Sequence, residues 1–159
     1  MILVTVGSMF PFDRLIKAMD EQVEAGLITD KVFAQIGAGS YEPRAMPFKR
    51  FMEKQEFEEQ LIEADAVVSH AGIGSIATAL HLGKPLVVLP RLKLHGEHVN
   101  DHQVATARKY KELGHVLVAN SEADLAHTLS RISEFKPAPR NINAAGMADR
   151  IGRFLRELK

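Results

Sequence analysis

The residues best suited to chemistry lie in one segment, Ala64 to Gln103, which reads ADAVVSHAGIGSIATALHLGKPLVVLPRLKLHGEHVNDHQ. His70 follows a short apolar run, and Gly72 and Gly74 allow a tight turn that leaves backbone N–H groups exposed. A helix that begins near Ser75 directs the positive end of its dipole at any anion bound there. The pattern therefore predicts a phosphate site at the end of a buried strand.

A second strand end is predicted to face the same crevice. Gly83-Lys84-Pro85 ends the helix, Leu86 to Leu89 is an apolar run of strand length, and Pro90 ends that run. Because the carboxyl ends of parallel strands meet at one edge of a sheet, we expect the polar residues that follow to lie near the glycine turn. These residues include Asn100, Asp101, His102 and Gln103.

Strand-like and helix-like segments alternate along the chain, which predicts an α/β fold. We expect an open, mostly parallel, Rossmann-like sheet with helices on both faces. The predicted strands are 2–6, 32–36, 65–69, 86–89 and 115–119, with a short edge strand at 48–51. The predicted helices are 12–24, 56–63, 75–81, 100–113, 121–135 and 144–158. Ser121 is expected to cap the fifth of these helices.

Length and composition exclude several classes of protein. A chain of 159 residues fits a single domain, 1–159, that buries roughly 70% of its unfolded surface. The absence of cysteine excludes disulfides and thiolate metal sites, and 20 basic residues balance 20 acidic ones, so nothing indicates a nucleic-acid partner. The start MILVTVGSMF lacks the features of a signal peptide, and no stretch approaches the roughly 20 apolar residues that span a bilayer. We expect a cytoplasmic protein.

These motifs resemble the C-terminal, donor-binding domain of family 28 glycosyltransferases. The matching stretches are VTVGS with Phe12-Asp13, QIG, ADAVVSHAGIGS, GKPLVVLPR and EHVNDHQ, which together cover nearly the whole chain. In particular, the chain is similar to the separate catalytic subunit of two-component enzymes that build polysaccharides or lipid-linked glycans. The resemblance implies one Rossmann-like half of a GT-B type transferase, from which the acceptor-binding half is absent.

What the resemblance implies about activity is specific. The chain is expected to bind a UDP-sugar without an essential metal or other cofactor, and to transfer the sugar with inversion in exopolysaccharide or glycan biosynthesis. The acceptor is expected to be lipid-linked and held by a membrane-anchored partner subunit, through which the chain associates peripherally with the membrane. The alternative is a non-catalytic nucleotide-sugar-binding or regulatory module. A self-sufficient enzyme with its own catalytic base is a third interpretation.

The resemblance also assigns roles by position. Gly7 and Ser8 are expected to face the donor diphosphate, and the turn from Gly72 to Ser75 the phosphates and ribose. The segment that reads the hydroxyls of the donor sugar is expected to include Asp101, His102 and Gln103. Asn100 and His70 complete the expected nucleotide-sugar site.

One position departs from the family pattern. Many relatives carry a glutamate three residues after the serine or threonine of the turn, where it binds the ribose hydroxyls, and this chain has Thr78. A threonine hydroxyl cannot make the two-point contact of a carboxylate. The ribose contact, and with it strict selectivity for uridine, is therefore weakened.

Some residues keep two interpretations. His70 is either a core histidine bonded to a backbone carbonyl or a site residue. The sequence does not identify a catalytic base, and the candidates for it are His70 and His102. Arg91 and Lys93 either neutralise a phosphate or solvate a loop. Gln35, at a strand end, is interpreted as structural.

A metal site is a further interpretation of the histidines. His95, His98 and His102 have a spacing that a helix would present together to a metal. Gly96 and the residues up to Asn100 indicate a loop instead, so no metal site is predicted.

The C-terminal segment 139–159 is predicted to contain an amphipathic helix. Its apolar stripe is Met147, Ile151, Phe154, Leu155 and Leu158. The stripe packs on the chain's own sheet, docks to a partner subunit or adheres to anionic lipid. The resemblance favours the partner.

Overall fold

The computed structural model of the chain describes residues 1–139 together with Arg153, Leu155 and Arg156. Within residues 1–139, strands form one sheet: β1 Ile2–Thr5, β2 Val32–Gln35, β3 Phe48–Lys49, β4 Ala66–His70, β5 Leu86–Leu89 and β6 Leu117–Val118. The strand order is β3-β2-β1-β4-β5-β6, and every neighbouring pair is parallel. The order reverses between β1 and β4, so the sheet is doubly wound. The predicted open α/β sheet is confirmed.

Helices cover both faces of the sheet, as predicted. They are α1 Asp13–Glu24, α2 Lys54–Glu63, α3 Ile73–His81, α4 His102–Glu112 and α5 Leu125–Ser130. Neighbouring residues of a strand point to opposite faces, so each strand contributes to two cores. Val4 and Val68 pack with the apolar residues of α1 and α5, whereas Leu3 and Val67 pack with those of α2, α3 and α4. Burial on both sides explains why the strands are almost continuously apolar.

Helix α3 begins two residues before the start predicted near Ser75. Gly72 is the last extended residue, with φ −78° and ψ 137°. Its carbonyl accepts the first helical hydrogen bond from Ile76 N at 3.1 Å. The unpaired N–H groups of this helix end therefore begin with Ile73 and Gly74, directly at the glycine turn.

The predicted helix at 121–135 is wrong in its length and in its cap. Residues Glu122–Asp124 form a 3-10 turn, and α5 ends at Ser130. The side chain of Ser121 makes no capping hydrogen bond, and the Asp124 carboxylate instead accepts one from Asn120 N at 3.1 Å. The N–H of Asp124, which a capping hydroxyl would accept, donates instead to the backbone carbonyl of Ser121 at 3.2 Å.

Strand β6 is also shorter than the predicted 115–119. His115 N donates to Tyr110 O at 2.9 Å, in the turn after α4, and its ring Nδ1 lies 2.9 Å from Ala138 O. Ala138 N in turn donates to Gly114 O at 2.9 Å. The two bonds to Ala138 attach the segment that precedes residue 140 to the amino-terminal end of β6.

The predicted C-terminal helix lies outside the described residues, apart from Arg153, Leu155 and Arg156. These three residues are helical and exposed, and Leu155 of the predicted apolar stripe is 56% exposed. That exposure does not fit burial of Leu155 on the chain's own sheet. Among the residues that the structure describes, no helix combines the length and apolar character required to cross a membrane.

Candidate functional site

A cavity of about 740 Å³ opens at the carboxyl ends of β1, β2, β4 and β5. It lies where the strand order reverses, which is the usual ligand position in open α/β sheets. Its volume is within the range of small-molecule sites. Most residues predicted for the site line it: Gly7, Ser8, His70, Gly72, Gly74, Ser75, Thr78, His102 and Gln103.

Asn100 and Asp101, also predicted for the site, do not line the cavity. The Asp101 carboxylate accepts a hydrogen bond from Lys93 N at 2.8 Å, and Asn100 Oδ1 accepts one from His102 N at 3.0 Å. Both side chains therefore order the backbone that leads into α4. Lys93, left open by the sequence, belongs to this loop and not to the cavity lining.

His70 is the centre of the polar end of the cavity. Its Nδ1 accepts a hydrogen bond from Gly72 N at 3.0 Å, and its Nε2 lies 3.1 Å from Ser75 Oγ. Because a backbone N–H can only donate, Nδ1 carries no proton and Nε2 carries the proton of the neutral ring. His70 thus bonds a backbone N–H and a hydroxyl, not the backbone carbonyl considered from the sequence.

The imidazole of His70 stays neutral at physiological pH. Burial lowers its pKa to about 4, and the Arg91 cation and the neighbouring His98 add to the effect. In the neutral form, Nε2–H donates to the Ser75 hydroxyl. The hydrogen of that hydroxyl is then free to donate into the cavity.

Three positions of the site are occupied by glycine, and the surroundings of a side chain would differ among them. A Cβ on Gly7, whose φ is +76°, would lie 2.8 Å from His70 Nε2, and a Cβ on Gly72 would lie 2.2 Å from His70 Cε1. Both positions therefore need glycine because the imidazole packs between them. A Cβ on Gly74 would meet no atom within 4 Å. The backbone at Gly74 faces open space, where a ligand can approach it closely.

The Gly7 turn is held by buried polar side chains. Thr5 Oγ1 donates to Gln35 Oε1 at 2.8 Å, and Gly7 N donates to Thr5 Oγ1 at 3.2 Å. Gln35 Nε2 donates to Gly7 O at 3.3 Å and to Arg50 O at 3.0 Å. These bonds agree with the structural interpretation of Gln35.

Gln103 connects the ends of two neighbouring strands. It is 3% exposed, and its Oε1 accepts hydrogen bonds from Ala71 N and Arg91 N, both at 3.1 Å. Its Nε2 lies 3.3 Å from His70 Nδ1. The amide therefore holds the turn after β4 against the loop after β5. Its sugar-reading role stays a prediction.

Arg91 is a site residue that the sequence left undecided. Only 2% of it is exposed, and Nη2 donates to Val6 O and Phe10 O, both at 2.7 Å. Its guanidinium carbon lies 5.9 Å from the ring centroid of Phe10 and 5.1 Å from that of Phe12. Burial lowers the pKa of Arg91 below its ordinary value, which Glu97 partly offsets. The cation thus fixes the loop after β1 and lines the cavity.

Sequence reasoning missed the apolar side of the cavity. Phe51, Met52 and Phe57 line it, although Phe51 is 60% exposed. The missed signal was an aromatic residue, Phe51, two positions after the edge strand β3. His98 also lines the cavity, and its ring packs edge to face on His102 with centroids 4.5 Å apart.

The described part of the chain contains no group of three or more histidine, aspartate or glutamate side chains arranged to hold a metal ion. His95 ends a 3-10 turn at Lys93–His95, and Gly96 follows it with φ +67°. The backbone between His95 and His102 is therefore not one helix. His95, His98 and His102 therefore do not lie on one helix, and their spacing does not present them together to a metal.

A doubly wound sheet with a glycine turn, a helix N-terminus and a buried cation at the strand reversal defines a domain of the Rossmann-like class. Residues 1–152 match the model of the glycosyltransferase family 28 C-terminal domain. The chain belongs to this family. The resemblance inferred from the sequence motifs is thereby confirmed.

Relatives carry the name UDP-N-acetylglucosamine transferase subunit ALG13. The human protein is 34% identical over 125 residues, which cover 72% of this chain and 10% of the relative. The protein of Yarrowia lipolytica is 28% identical over 130 residues, covering 75% of this chain and 64% of the relative. The chain thus spans about a tenth of the human relative and under two thirds of the yeast one.

Solved structures show the same fold. A solution structure of ALG13 has a TM-score of 0.59 and 23% identity, and the match covers 91% of both chains. The glycosyltransferase of kitacinnamycin has a TM-score of 0.60 and 23% identity over 83% of this chain and 34% of its own. This chain therefore corresponds to about one third of that enzyme.

Proposed function

We propose that the chain is the donor-binding subunit of a glycosyltransferase that takes a UDP-sugar and transfers the sugar, with inversion, to a lipid-linked acceptor. A membrane-associated partner subunit holds the acceptor at the cytoplasmic face, in exopolysaccharide or glycan biosynthesis. The observation that carries the proposal is the cavity at the strand reversal, with an open glycine backbone at the N-terminus of α3.

The polar end of the cavity suits a diphosphate. Unpaired N–H groups at the start of α3 and the Ser75 hydroxyl donate hydrogen bonds, and the helix dipole favours negative charge there. The buried cation of Arg91 lines the same cavity. When the bond from the anomeric carbon to the diphosphate breaks, negative charge grows on the leaving group, and these donors stabilise it.

The apolar end of the cavity suits a base, and its aromatic edge is formed by Phe51 and Phe57. Thr78 also lines the cavity, and we assign it to the ribose. Its hydroxyl donates to Gly74 O at 2.9 Å, so its oxygen remains available only as an acceptor. A ribose hydroxyl can therefore donate one hydrogen bond to Thr78. This single contact binds the ribose more weakly than the two oxygens of a carboxylate would.

Of the two candidate bases, His102 is favoured over His70. Both ring nitrogens of His70 already have protein partners. In His102, Nδ1 lies 2.6 Å from Asn100 Oδ1, an acceptor, so Nδ1 holds the proton of the neutral ring and Nε2 keeps a free lone pair. In the proposed step, the acceptor oxygen bonds the anomeric carbon and its proton passes to His102 Nε2 or to a base of the partner.

The donor proposal is tested by calorimetry with UDP, UDP-N-acetylglucosamine, ADP and GDP, each with a chelator present. We expect UDP and its sugar to bind best, and a ligand at one hundred times its Kd to stabilise the fold by about 2.7 kcal/mol. Failure of all four ligands to bind would overturn the proposal, as would binding that needs a divalent metal.

The partner proposal needs a separate experiment. Transfer from the UDP-sugar is measured with the chain alone and with the membrane partner, and we expect turnover only with the partner. A chain ending at Pro139 is expected to keep donor binding and to lose both co-purification with the partner and transfer. Efficient turnover by the chain alone would contradict the two-component proposal, and donor binding without transfer in either case would support the regulatory module.

A further inference from the structure

A buried ion pair outside the cavity ties the loop between β5 and α4 to helix α1. Arg14 Nε donates to Glu97 Oε1 at 2.6 Å, and Arg14 Nη2 donates to Glu97 Oε2 at 3.0 Å. The two side chains are only 12% and 8% exposed. A two-point contact between a guanidinium and a carboxylate fixes distance and orientation together.

The same two side chains also hold the start of the loop. Arg14 Nη2 donates to Pro90 O at 2.8 Å, and Leu92 N donates to Glu97 Oε2 at 2.9 Å. Residues 90 and 92 are thereby joined to residue 97 through one charged cluster. The loop is closed on itself and attached to α1 at the same point.

The residue after Glu97 faces the other way, into the cavity. His98 lines the cavity, its ring centroid lies 6.1 Å from that of Phe10, and it packs on His102. Neither Arg14 nor Glu97 lines the cavity. The buried pair therefore holds the backbone next to His98 from behind, and the ring of His98 packs in turn on His102.

We propose that Arg14 and Glu97 are positioning residues, which hold His98 and His102 in place to receive the sugar of the donor. This inference rests on the proposed donor site and concerns its sugar end alone. The diphosphate end is held by other contacts, from His70, Gln103 and Arg91. Loss of the pair should accordingly weaken recognition of the sugar and spare recognition of UDP.

The test compares Glu97→Gln with Glu122→Gln in the full chain. Glu122 Oε2 also contacts Arg14, at 3.4 Å from Nη1, but its side chain is 42% exposed. Calorimetry gives the Kd of UDP and of UDP-N-acetylglucosamine. In Glu97→Gln, we expect the affinity for the UDP-sugar to fall about tenfold while that for UDP changes less than about twofold. Glu122→Gln should change neither.

Amide hydrogen exchange supplies a second measurement, independent of any ligand. The Leu92 amide donates to Glu97, so its hydrogen should exchange faster in Glu97→Gln. In Glu122→Gln, its exchange rate should not change. If Glu97→Gln does not fold, the double variant Arg14→Met with Glu97→Leu removes both charges and leaves no unpaired ion. It should show the same selective loss of the UDP-sugar.

The outcomes separate the two proposals. If the unsubstituted chain binds UDP and UDP-N-acetylglucosamine and the folded variants lose both equally or neither, the positioning role is overturned and the donor site stands. If the unsubstituted chain binds neither ligand, the proposed function and the positioning role fail together. Selective loss of the UDP-sugar with faster Leu92 exchange supports the positioning role.

Discussion

The turn after β4 and the loop after β5 both reach the cavity, but they are built differently. The turn at residues 70–75 is short, and its backbone contacts the cavity directly, with His70 packed between Gly7 and Gly72. The loop at residues 91–101 is longer and carries exposed apolar residues, with Leu94 86% and Val99 78% exposed. A few side-chain bonds hold this loop.

This difference suggests a division of tasks. A diphosphate has the same charge and shape in every nucleoside-diphosphate sugar, so rigid backbone donors suffice to bind it. Sugars differ in the arrangement of their hydroxyls, and side chains on a loop distinguish these. We therefore expect damage to the turn to affect every ligand, and damage to the loop to affect the sugar alone.

The largest effect is expected from a side chain at Gly72. In Gly72→Val, the added carbon would meet His70 Cε1, and the crowding should destabilise the fold by about 1–3 kcal/mol or more and displace the turn. Binding of UDP and of the UDP-sugar should both be lost. Urea unfolding and calorimetry measure these changes.

The matched control is Gly74→Val, in the same turn but facing open space. Its fold should stay close to the original stability, because the added side chain meets no atom and valine is a better helix former than glycine. Both ligands should still bind less well, since the side chain obstructs access to the backbone. Normal binding in this variant would remove Gly74 from the phosphate site.

The second effect is a loss of stability in acid that depends on His70. Its pKa is about 4 in the folded protein and 6.5 in the unfolded chain, so the unfolded chain binds the proton first as the pH falls. Stability is therefore full above pH 6.5 and declines towards pH 4, by up to about 3 kcal/mol from this group.

Urea unfolding at pH 7.5 and 4.5 measures this dependence. His70→Gln has no titrating ring and should show a smaller loss between the two pH values. His127→Gln is the control, because His127 lies on α5, away from the cavity lining. An equal acid loss in His70→Gln and in the original chain would show that His70 is not a neutral, buried part of the turn.

The smallest effect is expected at His102, and it distinguishes His102 from Gln103. Gln103→Ala leaves the buried N–H groups of Ala71 and Arg91 without their acceptor, which should cost about 1–3 kcal/mol of stability and weaken both ligands. His102 is exposed at the start of α4, so His102→Ala should leave stability and UDP binding nearly unchanged and weaken only the UDP-sugar. Calorimetry with both ligands separates the two results. Selective loss of the sugar in Gln103→Ala would support the role assigned to it from the sequence.

The regular parts of this fold could be predicted because their signals are local. Continuous apolar runs such as Leu86–Leu89 indicate strands covered on both faces, and the glycines after β4 indicate a turn open to a ligand. Boundaries were less predictable. The start of α3 at Ile73 and the short α5 depend on which carbonyl or carboxylate satisfies each backbone donor, and that depends on neighbouring segments.

The site was predictable to the extent that its residues are adjacent in the sequence. The sequence placed the turn from His70 to Ser75 and residues 100–103 near one cavity, but it could not distinguish the inward and outward residues at the start of α4. Gln103 points into the protein and Asp101 bonds its own loop, because a helix start turns consecutive side chains in different directions.

The sequence by itself determined the class of the fold, the glycine turn and the family, since strand patterns and short motifs are properties of contiguous residues. Only the tertiary structure decided that Arg91 is a buried cation, that Phe51 lines the cavity and that Glu97 pairs with Arg14. Each of these facts joins segments far apart in the chain. Burial and pairing arise only when the sheet brings such segments together, so no local pattern predicts them.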